Sequence, residues 1–150
     1  MVESRAQSSG RRLRAAMVGG GQGAFIGAVH RLAQRLDGDI ELMAGAMHAD
    51  PEIAVASALE LGIAEDRAHR TWMELLEDEK KRPEDERIDF VTIVTPNFLH
   101  APIALAFVEA GINVVCDKPL CLTEAEAAEL VAAREESGVV FAVTYNYTGY

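Results

Sequence analysis

The segment Gly19-Gly20-Gly21-Gln22-Gly23-Ala24 constrains this chain more than any other. It follows a short apolar run at residues 13–18 and opens a stretch whose apolar residues repeat with helical period. Strand, glycine turn and helix in that order are the context in which a G-x-G-x-x-G/A pattern carries meaning. Gly19 then permits a tight turn, Gly21 leaves the backbone open to a ligand, and Ala24 lets the helix pack close to the sheet. The helix N-terminus presents free N–H groups and a partial positive charge, which suit phosphates. The reading is a dinucleotide site that includes Gly19, Gly21, Gln22, Gly23, Ala24 and Phe25. Its bland alternative is a structural glycine turn in another doubly wound fold.

The rest of the chain alternates strand-like and helix-like segments. The helix after the turn carries Phe25, Val29, Leu32 and Leu36 on one face and His30, Arg31, Gln34 and Arg35 on the other, an amphipathic pattern of the kind that turns its apolar stripe to a core. A second strand spans Ile40–Ala46. Asp50 then reads as an N-cap with Pro51 at the first helical position, and Gly62 closes that helix. Thr71 and Glu74 make a capping-box pattern for the next helix, whose early acids and late bases (Lys80, Lys81, Arg82) suit the helix dipole before Pro83 ends it. The charged stretch 77–87 reads as a solvated helix end and loop. Residues 88–94 form a near-continuous apolar run, as a strand covered on both faces should. Ile103, Ala106, Phe107 and Ala110 make a helix face stopped by Gly111. Residues 112–116 are a short strand, Thr123 and Glu126 a second capping box for a helix to about Ser137, Gly138 its stop, and 139–143 the last strand. Short buried strands joined by crossover helices predict an α/β fold: a doubly wound parallel sheet of about six strands, in one Rossmann domain over residues 13–150. Residues 1–12 read as a disordered tail.

At 150 residues with 49% apolar content, the chain is the size of one domain with a sizeable core. A formal net charge of −10 argues against nucleic acid or an anionic membrane as partner, since both need a basic face. Cys116 and Cys121 fit neither a CxxC redox pair nor a zinc knuckle, and two free thiols in a reducing cytoplasm are expected. Arg11-Arg12 ahead of an apolar run resembles an export signal, but the stretch is glycine-rich, lacks a cleavage site and runs into a patterned helix. No apolar run is long enough to span a bilayer.

Further candidates lie at the predicted C-terminal ends of strands, where open α/β sheets bind ligands. A cofactor ribose is normally read by an acid at the end of the second strand; the corresponding position here is Met47 or His48, and Asp50 is better explained as a cap. The choice between NAD and NADP stays open on these residues. Thr95-Pro96-Asn97-Phe98-Leu99-His100 and Asp117-Lys118-Pro119 are the other two clusters. Lys118 beside Asp117 is placed to donate to a substrate oxygen; taken alone it also reads as a surface ion pair in a turn.

Together Val18-Gly19-Gly20-Gly21 with His30, Thr95-Pro96-Asn97 with His100, and Cys116-Asp117-Lys118-Pro119 resemble the N-terminal domain of the glucose–fructose oxidoreductase, inositol dehydrogenase and rhizopine-catabolism (Gfo/Idh/MocA) family. The resemblance runs over nearly the whole chain. It implies a Rossmann domain followed in the family by an antiparallel-sheet substrate domain, and oxidation of a sugar or cyclitol hydroxyl, or the reverse. It implies that Lys118 is the catalytic hydrogen-bond donor to the substrate hydroxyl and the nicotinamide ribose, that Pro96 and Asn97 border the nicotinamide, and that Thr144-Tyr145-Asn146-Tyr147 face the substrate domain, with Asn146 near the cofactor. Thr95, His100 and Asp117 complete the implied cofactor set. The commonest form of the lysine motif has glutamate where this chain has Asp117. The family's acid/base lies in the second domain, so no residue here takes that role, and these 150 residues are expected to bind cofactor with little turnover. A non-catalytic dinucleotide-sensing module is the alternative. A dihydrodipicolinate- or homoserine-type reductase half is a third reading, against which Asp117-Lys118-Pro119 argues. An exposed apolar edge makes homo-oligomerisation an expectation.

Overall fold

The computed structural model of the chain describes residues 10–149. Five parallel strands form one sheet: β1 (Leu13–Gly19), β2 (Ile40–Ala46), β3 (Phe90–Val94), β4 (Asn113–Cys116) and β5 (Phe141–Val143), in the order β2-β1-β3-β4-β5. Five helices connect them: α1 (Phe25–Arg35), α2 (Pro51–Glu60), α3 (Trp72–Lys81), α4 (His100–Glu109) and α5 (Glu124–Ser137). The strand count is close to the expected six, and the shortfall has a location. Beyond β2, Ala68 makes a single parallel bridge to Gly45, and His69 donates its N–H to the Gly45 carbonyl at 2.8 Å. That is where a doubly wound dinucleotide fold carries its third strand; here the strand is reduced to one bridge after a turn of 3₁₀ helix at Glu65–Arg67.

The helix boundaries follow the local chemistry. Asp50 caps α2 by accepting from the N–H groups of Glu52 and Ile53, with Pro51 at N1. Thr123 and Glu126 form a complete capping box on α5, and Gly138 ends it at φ 70°. At α3, Thr71 accepts from the Glu74 N–H, but the Glu74 carboxylate turns to the N–H of Arg70, so the expected box is only half made. The tail expectation falls mostly on residues 1–9, outside the described residues. Arg11 is fastened: its guanidinium forks onto Asp89 at 2.7 and 2.8 Å, and Asp89 also accepts from the Arg14 N–H.

The crossover from β1 to β2 runs one way across the sheet and all later crossovers run the other. Right-handed connections therefore put α1 on one face and α3 to α5 on the opposite face. The main core fills that second face: Ala16, Val18, Val91, Ile93, Val114 and Cys116 from the strands meet Leu75, Ile103, Phe107, Val108 and Leu130 from the helices. A smaller cluster of Met17, Met47, Ala58, Ile63 and Val94 sits beneath β1 and β2.

The orientation of α1 corrects the sequence reading. Its apolar stripe faces solvent: Phe25 is 82% exposed, Val29 44%, Leu32 66% and Leu36 75%. The polar face lies on the sheet instead. Arg31 donates to the Gly20 carbonyl at 2.6 Å, and Gln34 donates to Thr92 Oγ1 at 2.8 Å. The physical reason is Gly27, the one fully buried residue of the helix. A Cβ there would lie 2.7 Å from the Gly20 carbonyl carbon. The helix approaches the sheet through glycine against glycine, and polar side chains on either side reach defined partners.

Candidate functional site

The C-terminal ends of β1 and β3, from which the chain departs in opposite directions, flank a crevice of the kind that binds ligands in open α/β sheets. Its floor is the glycine turn. Gly19, Gly20 and Gly23 hold φ of 79°, 75° and 76°, which residues with a Cβ rarely adopt. Gly21 is packed from behind, its N–H donated to the Met47 carbonyl and its missing Cβ leaving room for Met47 and Ser57. The open backbone of the turn is therefore at Gly23, around which a Cβ would meet nothing within 4 Å. Ala24, expected to permit close helix packing, is the extended N-cap residue and lines the crevice; Gly27 makes the close contact.

Gln22 donates its N–H to Ser57 Oγ and its amide to Glu60, tying the turn to α2. Phe25 points outward at the start of α1. The N-terminus of α1 has no side-chain cap and no acid in its first turn. The other three helices with a defined extended N-cap, α2, α3 and α5, all carry both. An uncapped helix end beside an open glycine backbone leaves donors and positive partial charge at the turn; Gly19, Gly20 and Ala24 line the crevice, whereas Gln22 and Gly23 line a neighbouring cavity with Ser57 and Glu60.

From this turn a cavity of about 430 Å³ runs along the strand ends. Gly19, Gly20 and Ala24 line its middle; His48, Arg70, Thr71 and Trp72 line the β2 end; Thr95, Pro96 and Leu99 line the β3 end. Met47 contributes backbone, because its side chain is buried in the small core. His48 accepts from the Asp50 N–H through Nδ1, at 2.9 Å. Arg70 is drawn toward Glu52 at 3.2 Å. Thr95 Oγ1 is buried at the cavity wall with no hydrogen-bond partner, which is costly unless a ligand supplies one.

The second cluster assembles beside this cavity, after β3 and β4. Pro96 and Asn97 are exposed on the loop, and Asn97 begins a turn of 3₁₀ helix. His100 is buried, at 2% exposure, between two carbonyls: Nε2 is 2.8 Å from Thr95 O and Nδ1 is 2.7 Å from Pro119 O. Carbonyls only accept, so a neutral ring donates to one of them and a doubly protonated ring to both. Asp117 Oδ1 accepts from the Lys118 N–H at 2.9 Å and from Thr144 Oγ1 at 2.8 Å. His30 Nε2 faces the same oxygen at 4.0 Å; burial pushes its pKa down, and the Asp117 charge opposes that. The Lys118–Pro119 bond is cis. The Lys118 side chain is exposed, and its ammonium has no hydrogen-bond or ion-pair partner among the described residues. Asn146 is exposed on the segment after β5.

The structure thus brings Gly19, Ala24, His48, Thr95 and Pro96 to one cavity and sets Asp117, Lys118 and His100 beside it. Phe25 and the Met47 side chain point away. Ser57, which no sequence motif singles out, and Arg31 and Thr144, named in the sequence only for a polar helix face and a substrate-domain edge, hold the glycine turn and the Lys118 turn in place.

The residues fit a dinucleotide: an uncapped helix end and an open glycine suit a pyrophosphate, and the unpaired Thr95 hydroxyl lies further along the same crevice.

Comparison with known proteins agrees with this geometry. The family model described as "Oxidoreductase family, NAD-binding Rossmann fold" matches residues 13–145. An uncharacterized oxidoreductase of Bacillus subtilis is 38% identical over 91% of this chain and 35% of its own length. Levoglucosan dehydrogenase of Pseudarthrobacter phenanthrenivorans is 32% identical over 90% of the chain and 33% of its own. Among solved structures, an inositol dehydrogenase homolog of Azotobacter vinelandii, complexed with NADH and myo-inositol, superposes with a TM-score of 0.88 at 40% identity, covering 93% of this chain and 36% of that one. The chain spans about a third of the length of the curated relatives named here.

Proposed function

The chain belongs to the Gfo/Idh/MocA oxidoreductase family, and we propose that its cleft between β1 and β3 binds NAD for hydride exchange at a sugar or cyclitol hydroxyl carbon. The observation that carries this is the uncapped N-terminus of α1, whose N-cap residue Ala24 lines the crevice next to the glycine turn, a helix end suited to a pyrophosphate. The N–H groups of that first turn hold the phosphates. His48, Arg70 and Trp72 border the adenosine end, and Thr95 donates or accepts at the other. No acid stands at the end of β2, so the ribose there is met by His48 and backbone. NAD is favoured over NADP because Arg70, the cation nearest that end, is turned to Glu52.

The nicotinamide, when bound, supplies the hydride chemistry. The protein positions and polarises. Lys118, exposed and unpaired on the β4 end, donates to the substrate oxygen and stabilises its developing charge. Among the described residues we assign no side chain as the acid/base. That role and substrate choice fall to the length that the relatives have beyond this match.

Thermal unfolding with NAD, NADH, NADP and NADPH in turn tests the reading. A ligand at 100 times its dissociation constant adds about 2.7 kcal/mol, a rise on the order of 5–10 °C for a domain of this size. A rise with NAD or NADH is expected. A rise with the phosphorylated pair alone overturns the NAD assignment, and no rise with any at millimolar ligand overturns cofactor binding by these residues.

A further inference from the structure

The turn that carries Lys118 is fastened from two sides by groups outside the cavity wall. On one side His100, rooted at the start of α4, touches the Pro119 carbonyl and the Thr95 carbonyl, so one imidazole joins the loop after β4 to the loop after β3. On the other side the Asp117 carboxylate takes the Lys118 N–H and the Thr144 hydroxyl through a single oxygen, joining the β4 end to the β5 end. Thr144 also donates its backbone N–H to the Cys116 carbonyl at 3.0 Å, which fixes its own position. Between these points the Lys118 side chain is free. A long flexible amine gains precision only if its backbone is held, because each loose torsion below it multiplies the positions its Nζ visits.

We propose that His100 and Thr144 are positioning residues for Lys118: through Pro119 and Asp117 they hold its backbone in register with Thr95 at the end of the cleft. The role of Lys118 toward substrate rests on the function proposed above; the frame itself does not. With aspartate in this position the carboxylate reaches one methylene less far than glutamate would. Here it closes onto its own neighbour's N–H, and the Thr144 hydroxyl steadies it there.

The test uses the full chain and four variants: Thr144→Val, Thr144→Ser, His100→Phe and His100→Gln. Hydrogen exchange at the Lys118 amide reads the frame directly, and NADH fluorescence and affinity read its effect on the cleft. Thr144→Val keeps the side-chain shape and removes the hydroxyl. It is expected to speed Lys118 amide exchange roughly tenfold, as the loss of one supporting hydrogen bond does. Exchange in the main-core strands stays unchanged. Thr144→Ser restores protection. His100→Phe does the same from the other side and loosens Thr95 as well, with partial rescue by His100→Gln, which keeps donors. NADH affinity is expected to fall no more than about threefold, since the phosphates are held at α1, whereas the fluorescence of the bound nicotinamide drops. If His100→Phe does not fold, the Thr144 pair still decides. Unchanged Lys118 exchange in a folded Thr144→Val, or loss that serine does not restore, overturns the frame. Faster Lys118 exchange in a chain that binds no dinucleotide upholds the frame and overturns the proposed function instead.

Discussion

Gly27→Ala is the substitution on which the geometry of the site turns. Helix propensity alone makes it favourable, because alanine exceeds glycine by about 1 kcal/mol inside a helix. The structure opposes it. The added Cβ would lie 2.7 Å from the Gly20 carbonyl carbon and nearer still to its oxygen and Cα. Ordinary contact begins near 3.4 Å. The atoms in the way are backbone, so no rotamer change relieves them, and α1 must retreat from the glycine turn by on the order of 1 Å. Overpacking of this kind costs about 1–3 kcal/mol. Set against the propensity gain, the net loss is roughly 0–2 kcal/mol, a fall in Tm of at most about 8 °C. The sharper effect is on the ligand. Backbone donors displaced by that distance lose charge-assisted hydrogen bonds worth about 1.5–3 kcal/mol each, which weakens NADH roughly ten- to a hundredfold. Isothermal titration and thermal unfolding of Gly27→Ala, with Ala33→Gly as control, make the check. The control sits on the exposed side of the same helix and is expected to lose about 1 kcal/mol with unchanged affinity. A Gly27→Ala protein that is more stable and binds NADH within twofold of the parent would refute the close approach.

Three other outcomes follow from the same structure. Leu32→Lys and Leu36→Lys are expected to change stability by no more than about 0.5 kcal/mol in denaturant unfolding, because both side chains are exposed; a loss of about 2–5 kcal/mol, the mark of a core leucine, would mean that α1 faces the other way. Asp89→Asn tests the tie to Arg11. The Arg11 guanidinium, with the Arg14 N–H, holds the Asp89 carboxyl below its ordinary 3.8; the stabilisation is present above that value and is lost as pH falls through the lower pKa of the folded carboxylate, so parent and variant should differ at pH 7 and converge only in acid well below 3.8, and a gap that persists after the folded carboxylate is protonated would rule the ion pair out as its source. Burial pushes the Cys116 thiol up to about 12, with the Asp117 charge adding to it. A thiol reagent at pH 8 should therefore modify Cys121 in the native chain and reach Cys116 only after unfolding, an expectation that fails if mass spectrometry finds both labelled at equal rates.

Several features were legible because they are written in adjacent residues. Asp50 before Pro51, Thr123 with Glu126, and Gly138 after α5 each state a boundary through local hydrogen bonding and backbone freedom. The glycine turn was legible for the same reason. What was not legible depends on partners distant in sequence. Periodicity located the apolar stripe of α1 but not its direction, since that depends on Gly20 and Thr92 accepting from Arg31 and Gln34. One signal did point there: a glycine inside a helical pattern weakens the helix unless something must come close, and Gly27 is such a glycine. That the third strand is reduced to one bridge was not legible either; next to that bridge Arg67 is buried in a pair with Glu79 at 2.7 Å, and Glu79 also accepts from the Ile88 N–H, partners 12 and 9 residues from Glu79 in the sequence. In the candidate site the clusters at 95–100 and 117–119 could be seen in one dimension. That His100 faces Pro119, or that Thr144 supports Asp117, could not, because loops after different strands meet only once the sheet exists.

The inverted α1 has a consequence for how the molecule opens. Most helices resist local unfolding in proportion to the oily surface they would expose, and α1 exposes that surface already. What fastens it is a glycine contact, the single apolar side chain of Ile26 against the small core and a few polar bonds, so less hydration free energy opposes its release than for the helices of the main core, and it belongs among the first elements to breathe. The same helix offers the site its donors. A phosphate seated there would act as the missing anchor, and ligand-induced protection from exchange should be greatest in α1 while α4, deep in the main core, scarcely registers the difference.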